Sequence, residues 1–231
     1  MVKDLKNLKS SVIEVSKLMH TKGFICATDG NISIKLGKNR YLITPSGINK
    51  AFMKPSDLII IDESAKVISG NKKYNPSTEW RMHLKAYKMR PDISAVIHAH
   101  PPYVTAYTIS GAKLPSDILP ETILTMGDIP VTSYSTPTSP DNADIIEEHI
   151  KNYDAVVLKR HGVITVGKDI YSAYNKLEKL EHTALTAVVA KIIGEAQPLP
   201  KQEVEKLLAM GAKMGLLSDN CVAVCKKTLA D

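Results

Sequence analysis

The chain has 231 residues, of which 44% are hydrophobic and 23% charged, a composition that fits one globular core and excludes a fibrous or disordered chain. No apolar run reaches the roughly 18 residues of a membrane span, and the opening MVKDLKNLKS lacks the apolar centre of a signal peptide, so a cytoplasmic location is expected. The net charge of +6 comes from scattered lysines whose densest groups are pairs such as Lys72-Lys73, Lys159-Arg160 and Lys226-Lys227, which speaks against a nucleic-acid partner.

Leu5, Leu8, Val12, Val15, Leu18 and Met19 recur at helical spacing and stop at Gly23, so the chain opens with an amphipathic helix. Residues 31–36 and 40–44 read as strands joined by Gly37-Lys38-Asn39, and 57–62 with 65–69 as a second pair, together an antiparallel meander. Pro76-Ser77-Thr78-Glu79 starts a helix running to Met89, with Ser77 or Thr78 placed to cap it and Glu79 in its first turn. SAVIHAH (94–100) is a strand stopped by Pro101-Pro102. A short helix at 103–110, a Pro-rich loop and a helix at 141–151 follow. Residues 155–167 make two strands bent at His161-Gly162, and helices at 169–194 and 201–214 complete the chain. Helices and antiparallel strands mix without regular alternation or repeats, which predicts an α/β fold: a single domain over 1–231, its central mainly antiparallel sheet flanked by helices.

Cys26, Cys221 and Cys225 match neither a disulfide framework nor a paired zinc motif, and are expected to be reduced and structural. The chemistry concentrates on histidines. Side chains two apart on a strand share a face, so His98 and His100 can hold one metal ion together, at a sheet edge facing a cleft. His161 sits at a bend where Gly162 lets the backbone turn. Three neutral imidazoles leave a zinc ion one open position and its full charge as a Lewis acid. Glu79 is placed to act as ligand or proton carrier beside that ion, or else to complete a helix cap. His83, four residues after Glu79, explains a metal less well than the paired histidines, and His20, His149 and His182 read as surface or packing residues.

Two loops, Thr28-Asp29-Gly30-Asn31-Ile32-Ser33 and Thr44-Pro45-Ser46-Gly47, combine glycine with small neutral donors, the inventory that surrounds a phosphate, although ordinary turns use the same residues. The free N–H groups at Ser77 and Thr78 favour an anion in the same way.

Taken in order, TDGNIS, ITPSG, PSTEW, HAHPP, GDIPVTSYSTP and RHGVITVG resemble the class II aldolase and adducin N-terminal family, in particular its fuculose-phosphate aldolase branch, over about residues 10–195. The resemblance implies an α/β/α fold, a cyclic homotetramer with active sites between subunits, and one zinc per subunit (manganese or cobalt being alternatives) on His98, His100 and His161, with Glu79 as acid/base and resting ligand. It implies that Thr28, Gly30, Asn31, Ser46, Gly47, Ser77 and Thr78 hold a substrate phosphate. The activity implied is reversible cleavage of a ketose 1-phosphate such as L-fuculose 1-phosphate into dihydroxyacetone phosphate and an aldehyde, through a metal-stabilised enediolate, with no nucleic-acid or membrane partner.

One departure concerns the aldehyde side: Leu119 stands where the aldolase branch carries a tyrosine, leaving Tyr103, Tyr107 and Glu121 as substitutes. L-ribulose-5-phosphate 4-epimerase is the nearest rival within the family. It uses aspartate at the Glu79 position and a tyrosine near the C-terminus, whereas the last tyrosine here is Tyr174. Sugar-phosphate dehydratases and decarboxylases share the zinc residues. A non-catalytic scaffold of the adducin type lacks the three histidines, and a zinc hydrolase is disfavoured by the absence of H-E-x-x-H.

Overall fold

In the computed structural model, which describes residues 4–228, the apolar stripe at the N-terminus becomes helix α1 (Leu5–Thr21), capped where the Asp4 carboxylate accepts the Lys6 N–H at 3.0 Å. The meander follows as β1 (Asn31–Gly37), β2 (Arg40–Ile43), β3 (Ile59–Ile61) and β4 (Val67–Ser69). Next come α2 (Trp80–Met89), β5 (Ala95–Ala99), α3 (Pro102–Ser110) and α4 (Pro120–Met126). A 3-10 helix (Pro140–Ile146) runs into α5 (Glu147–Ile150), and β6 (Ala155–Leu158), β7 (Gly162–Gly167), α6 (Ile170–Ile193), α7 (Lys201–Lys213) and α8 (Asp219–Thr228) finish the order.

The strands form one seven-stranded sheet in the order β4-β3-β2-β1-β5-β7-β6, with every neighbouring pair antiparallel. Both faces are covered, giving the expected single-domain α/β fold. Ile32, Ile34, Ile97 and Val163 pack against α1 and α6 on one face, while Val96, Val156, Ile164 and Val166 meet α2, α7 and α8 on the other. The period-two alternation of each strand divides its apolar residues between two cores. No described helix is long and apolar enough to cross a membrane.

Three elements differ from the expected pattern. Part of the Pro-rich loop is α4, too short to show a periodicity, yet held by buried Thr122, Ile123 and Met126. The C-terminal stretch contains α8, whose inward stripe is Cys221 and Cys225 one turn apart, so these two cysteines act as small apolar side chains, whereas Cys26 is exposed and packs in neither core. The expected helix at 141–151 is mostly 3-10, over Pro140–Ile146, and only Glu147–Ile150 is α-helical.

Candidate metal centre

β5 lies in the middle of the sheet and not at its edge, and His98 near its end is fully buried. Within β5, Ala95, Ile97 and Ala99 face the α1/α6 core, so Val96 and His98 face α2. In the β1–β5 pairing Asn31 stands directly opposite His98, and Ser33 opposite Val96, which lays a polar stripe on the α2 side of β1. His100 lies just past the strand, with its N–H donated to the Phe24 carbonyl at 2.9 Å and its side chain 27% exposed.

His161 is delivered by the β6–β7 turn, where its N–H is donated to the Leu158 carbonyl at 3.0 Å. The left-handed residue of that turn is Arg160, with φ of 60°, and not Gly162. Gly162 is required for space: a Cβ there would lie 2.2 Å from the Ala99 carbonyl oxygen and 2.8 Å from the His100 ring. Glu79 occupies the N-cap of α2 instead of its first turn, and no side chain caps that helix. Its backbone N–H is donated to Ser77 Oγ at 3.4 Å, leaving the carboxylate free to turn toward the sheet.

There the carboxylate meets the histidines: Glu79 Oε2 lies 3.2 Å from His98 Nε2, and Oε1 lies 3.4 Å from His161 Nε2. His98 Nε2 and His100 Nε2 are 2.9 Å apart, and one ligand atom from each of the four residues falls within 4.8 Å of the others. His98 Nδ1 donates to the Val163 carbonyl at 2.8 Å, which leaves the lone pair on Nε2 pointing into the cluster. His100 directs Nδ1 to Asp29 Oδ2 at 3.5 Å and so does the same. Glu79 Oε1 is buried without a hydrogen-bond partner. Converging lone pairs beside an unsatisfied buried carboxylate oxygen fit a metal cation, which satisfies them together.

The electrostatics agree. Burial acts to raise the Glu79 pKa, but the imidazoles of His98 and His161 and the Asn31 amide hold it well below the usual carboxylate range. Burial, with the neighbouring His98, pushes both His100 and His161 down to about 4, so both are neutral donors at neutral pH.

Behind the carboxylate runs a buried polar chain. Asn31 Nδ2 donates to Glu79 Oε2 at 2.8 Å, and His83 Nε2 donates to Asn31 Oδ1 in a short hydrogen bond. His83 Nδ1 accepts from Ser33 Oγ at 2.7 Å, and the Tyr87 hydroxyl lies 2.9 Å from Ser33 Oγ. Every donor in this direction points toward a deprotonated Glu79. His83, passed over in the sequence, is fully buried and pushed down to about 3 by that burial.

The glycine loops join at the same end of the sheet. Thr44 N–H is donated to the Ile32 carbonyl at 3.0 Å and Ile32 N–H to Thr44 Oγ1 at 3.1 Å, while Ser46 N–H is donated to the Asn75 carbonyl at 3.0 Å and Ser77 N–H to the Thr44 carbonyl at 3.3 Å. Thr28, Ser46, Gly47 and Thr78 are exposed, whereas Gly30, Asn31 and Ser77 are buried. Gly30, with φ of +69°, packs against β5, and a Cβ would lie 2.4 Å from Ile25 and 3.0 Å from the His98 carbonyl. Sequence reasoning missed Asp29 behind His100, and it missed Lys50, which is 2% exposed between these loops. Nothing in the local pattern separates that lysine from the scattered others.

Leu119, Tyr103 and Glu121 line a cavity of about 890 Å³ with Phe24 in its wall, next to the His100 backbone; Tyr107 is buried elsewhere.

Residues 10–188 match the family model for the class II aldolase and adducin N-terminal domain. The L-fuculose phosphate aldolase of Methanococcus maripaludis (strain S2) is 35% identical over 172 residues, covering 74% of this chain and 91% of the relative. The methylthioribulose-1-phosphate dehydratase of Methylococcus capsulatus is 32% identical, covering 75% of this chain and 89% of the relative. A solved L-fuculose 1-phosphate aldolase superposes with a TM-score of 0.79 at 31% identity, covering 88% of this chain and 95% of that one. With matching motifs, fold and a metal-competent cluster of one glutamate and three histidines, the chain belongs to the class II aldolase and adducin N-terminal family.

Proposed function

We propose that the protein is a zinc-dependent aldolase that reversibly cleaves a ketose 1-phosphate, such as L-fuculose 1-phosphate, into dihydroxyacetone phosphate and an aldehyde. The observation that carries this reading is the Glu79 carboxylate, set between His98 and His161 with one buried oxygen unsatisfied. Ligands about 2.0–2.1 Å from a tetrahedral zinc stand roughly 3.3 Å from one another. The separations of 2.9 Å between His98 and His100, and of 3.2 and 3.4 Å from Glu79 to His98 and His161, scatter about that value. When bound, the ion supplies Lewis-acid stabilisation of the negative charge that develops on the substrate's carbonyl oxygen.

The chain's own residues do the rest. Glu79, kept ionised by its neighbours, takes a proton from carbon three of dihydroxyacetone phosphate. That carbon then bonds to the aldehyde carbon, whose oxygen gains a proton; cleavage runs the same steps backward and returns the proton to carbon three. Thr28, Gly30, Asn31, Ser46, Gly47, Ser77 and Thr78 hold the phosphate, a reading supported by the convergence of their three loops. Exposed Val189, Ile192 and Ile193 at the end of α6 support assembly as a homotetramer, with the active site completed between subunits. Free cysteines, two of them buried, suit a reducing cytoplasm.

Leu119 and the dehydratase relative favour a second reading, loss of water from a related ketose 1-phosphate. Proton–deuterium exchange at carbon three of dihydroxyacetone phosphate, followed by NMR in heavy water with zinc-loaded protein and no aldehyde, separates the two. Stereospecific exchange that a chelator stops is the result expected of an aldolase; no exchange with zinc bound transfers the assignment to the dehydratase.

A further inference from the structure

Lys50 is a lysine of unusual placement. Only 2% of the residue is exposed, and its ammonium sits at the seam between the two glycine loops, donating to the Thr28 carbonyl at 2.6 Å and the Ile48 carbonyl at 3.1 Å. Among the described residues no carboxylate lies within ion-pair distance of Nζ, and its third N–H finds no protein partner. A buried cation with no carboxylate bonded to it is costly to keep, and replacing it by an apolar side chain of the same length would relieve that cost. Two backbone carbonyls solvate the ammonium but do not neutralise it. The loops it joins carry Thr28, Gly30, Asn31, Ser46 and Gly47, all neutral donors, so a phosphate dianion held there by them alone would meet no positive side chain.

We propose that Lys50 is the cationic binding residue of this site, its ammonium supplying from behind the two loops the counter-charge for the phosphate monoester of the substrate. The inference rests on the sugar-phosphate reading and deepens it: the site selects phosphorylated over unphosphorylated substrates through one buried charge. Burial pushes the lysine down to about 8, with Asp29 and Glu79 acting in the opposite direction, so at neutral pH it is charged and poised to gain from an incoming anion. The loop tie and the counter-charge are one device, since an anion bound at the seam draws the ammonium, and through its carbonyl bonds both loops, toward itself.

The test is calorimetric titration of the full chain, zinc-loaded and chelator-treated, with inorganic phosphate as the probe. Lys50→Met should weaken phosphate binding about 10- to 100-fold in both forms, the loss expected for a charge-assisted hydrogen bond. Phosphate affinity within two-fold of wild type in a folded Lys50→Met protein would overturn the proposal. Should that variant fail to fold, the wild-type protein answers instead: NMR titration of the Lys50 side chain should show its pKa rising when phosphate is added, and an unchanged value would equally overturn the role. Carbon-three exchange of dihydroxyacetone phosphate, run alongside, keeps the readings apart. Lys50-dependent phosphate binding without exchange leaves Lys50 standing and removes the aldolase; exchange with Lys50-independent phosphate binding does the reverse.

Discussion

Asn31 Nδ2 reaches Glu79 Oε2 at 2.8 Å, and Asn31 is at the same time the direct strand partner of His98. One β1 side chain thereby fixes the carboxylate relative to the first imidazole. Because the amide donates to the charged form, it lowers the Glu79 pKa. Asn31→Ala should move the acid limb of the pH–rate profile for carbon-three exchange upward and reduce the rate by about 10-fold or more at neutral pH. A profile superimposable on that of wild type would show that the amide does not orient the base.

His83 makes stability depend on acid in a defined direction. Its folded pKa of about 3 lies below the ordinary histidine value near 6.5, so between these limits the unfolded chain holds a proton that the folded chain refuses. Stability is complete above about pH 6.5 and falls as the pH drops toward 3, by on the order of 4 kcal/mol. Urea unfolding across that window measures it, and His83→Gln should flatten the slope while lowering stability at pH 7 through the broken Ser33 and Asn31 bonds.

Removal of ligands should separate metal binding from folding. His161→Ala, at the β6–β7 turn where the imidazole meets the rings of His98 and His100, should abolish stoichiometric zinc binding and turnover while keeping a wild-type circular dichroism spectrum. His98→Ala should also lose the metal and in addition lose about 1–3 kcal/mol, since the Val163 carbonyl is left without its donor. Glu79→Gln should retain zinc and slow exchange by roughly 100-fold or more. Metal content by atomic absorption, compared with exchange rate, sorts these three outcomes.

Gly162→Ala tests packing at the site. A methyl group 2.2 Å from the Ala99 carbonyl oxygen forces β7 away from the end of β5, at a cost of about 1–3 kcal/mol. For a chain of this length that is a fall in Tm of several degrees. Because the same methyl crowds the His100 ring, zinc affinity should drop with it. A variant with unchanged Tm and affinity would show that the strand ends move freely.

Much of the centre is legible in the amino-acid sequence. The His98-Ala99-His100 pair is two apart on a strand, and a period of two allows one reading of which face they share. β1 through β4 were legible for the same reason, each being a short apolar run closed by a turn. α4 and α8 were not, because seven or ten residues with two or three buried positions give too few points to fix a helical period. His83 was underrated because a lone histidine four residues from a glutamate carries no sign of a partner on a distant strand.

The sequence by itself determined which residues could bind a metal, the mixed α/β class and the order of elements, since these depend on local spacing and residue chemistry. Tertiary structure alone decided that β5 is central and not at an edge, that Arg160 and not Gly162 turns the chain before His161, that Glu79 is bound by Asn31, and that Lys50 is buried between two loops. Each of those facts rests on contacts between segments tens of residues apart, where the deciding quantity is the space and hydrogen-bonding capacity left by the rest of the fold, which no local window contains.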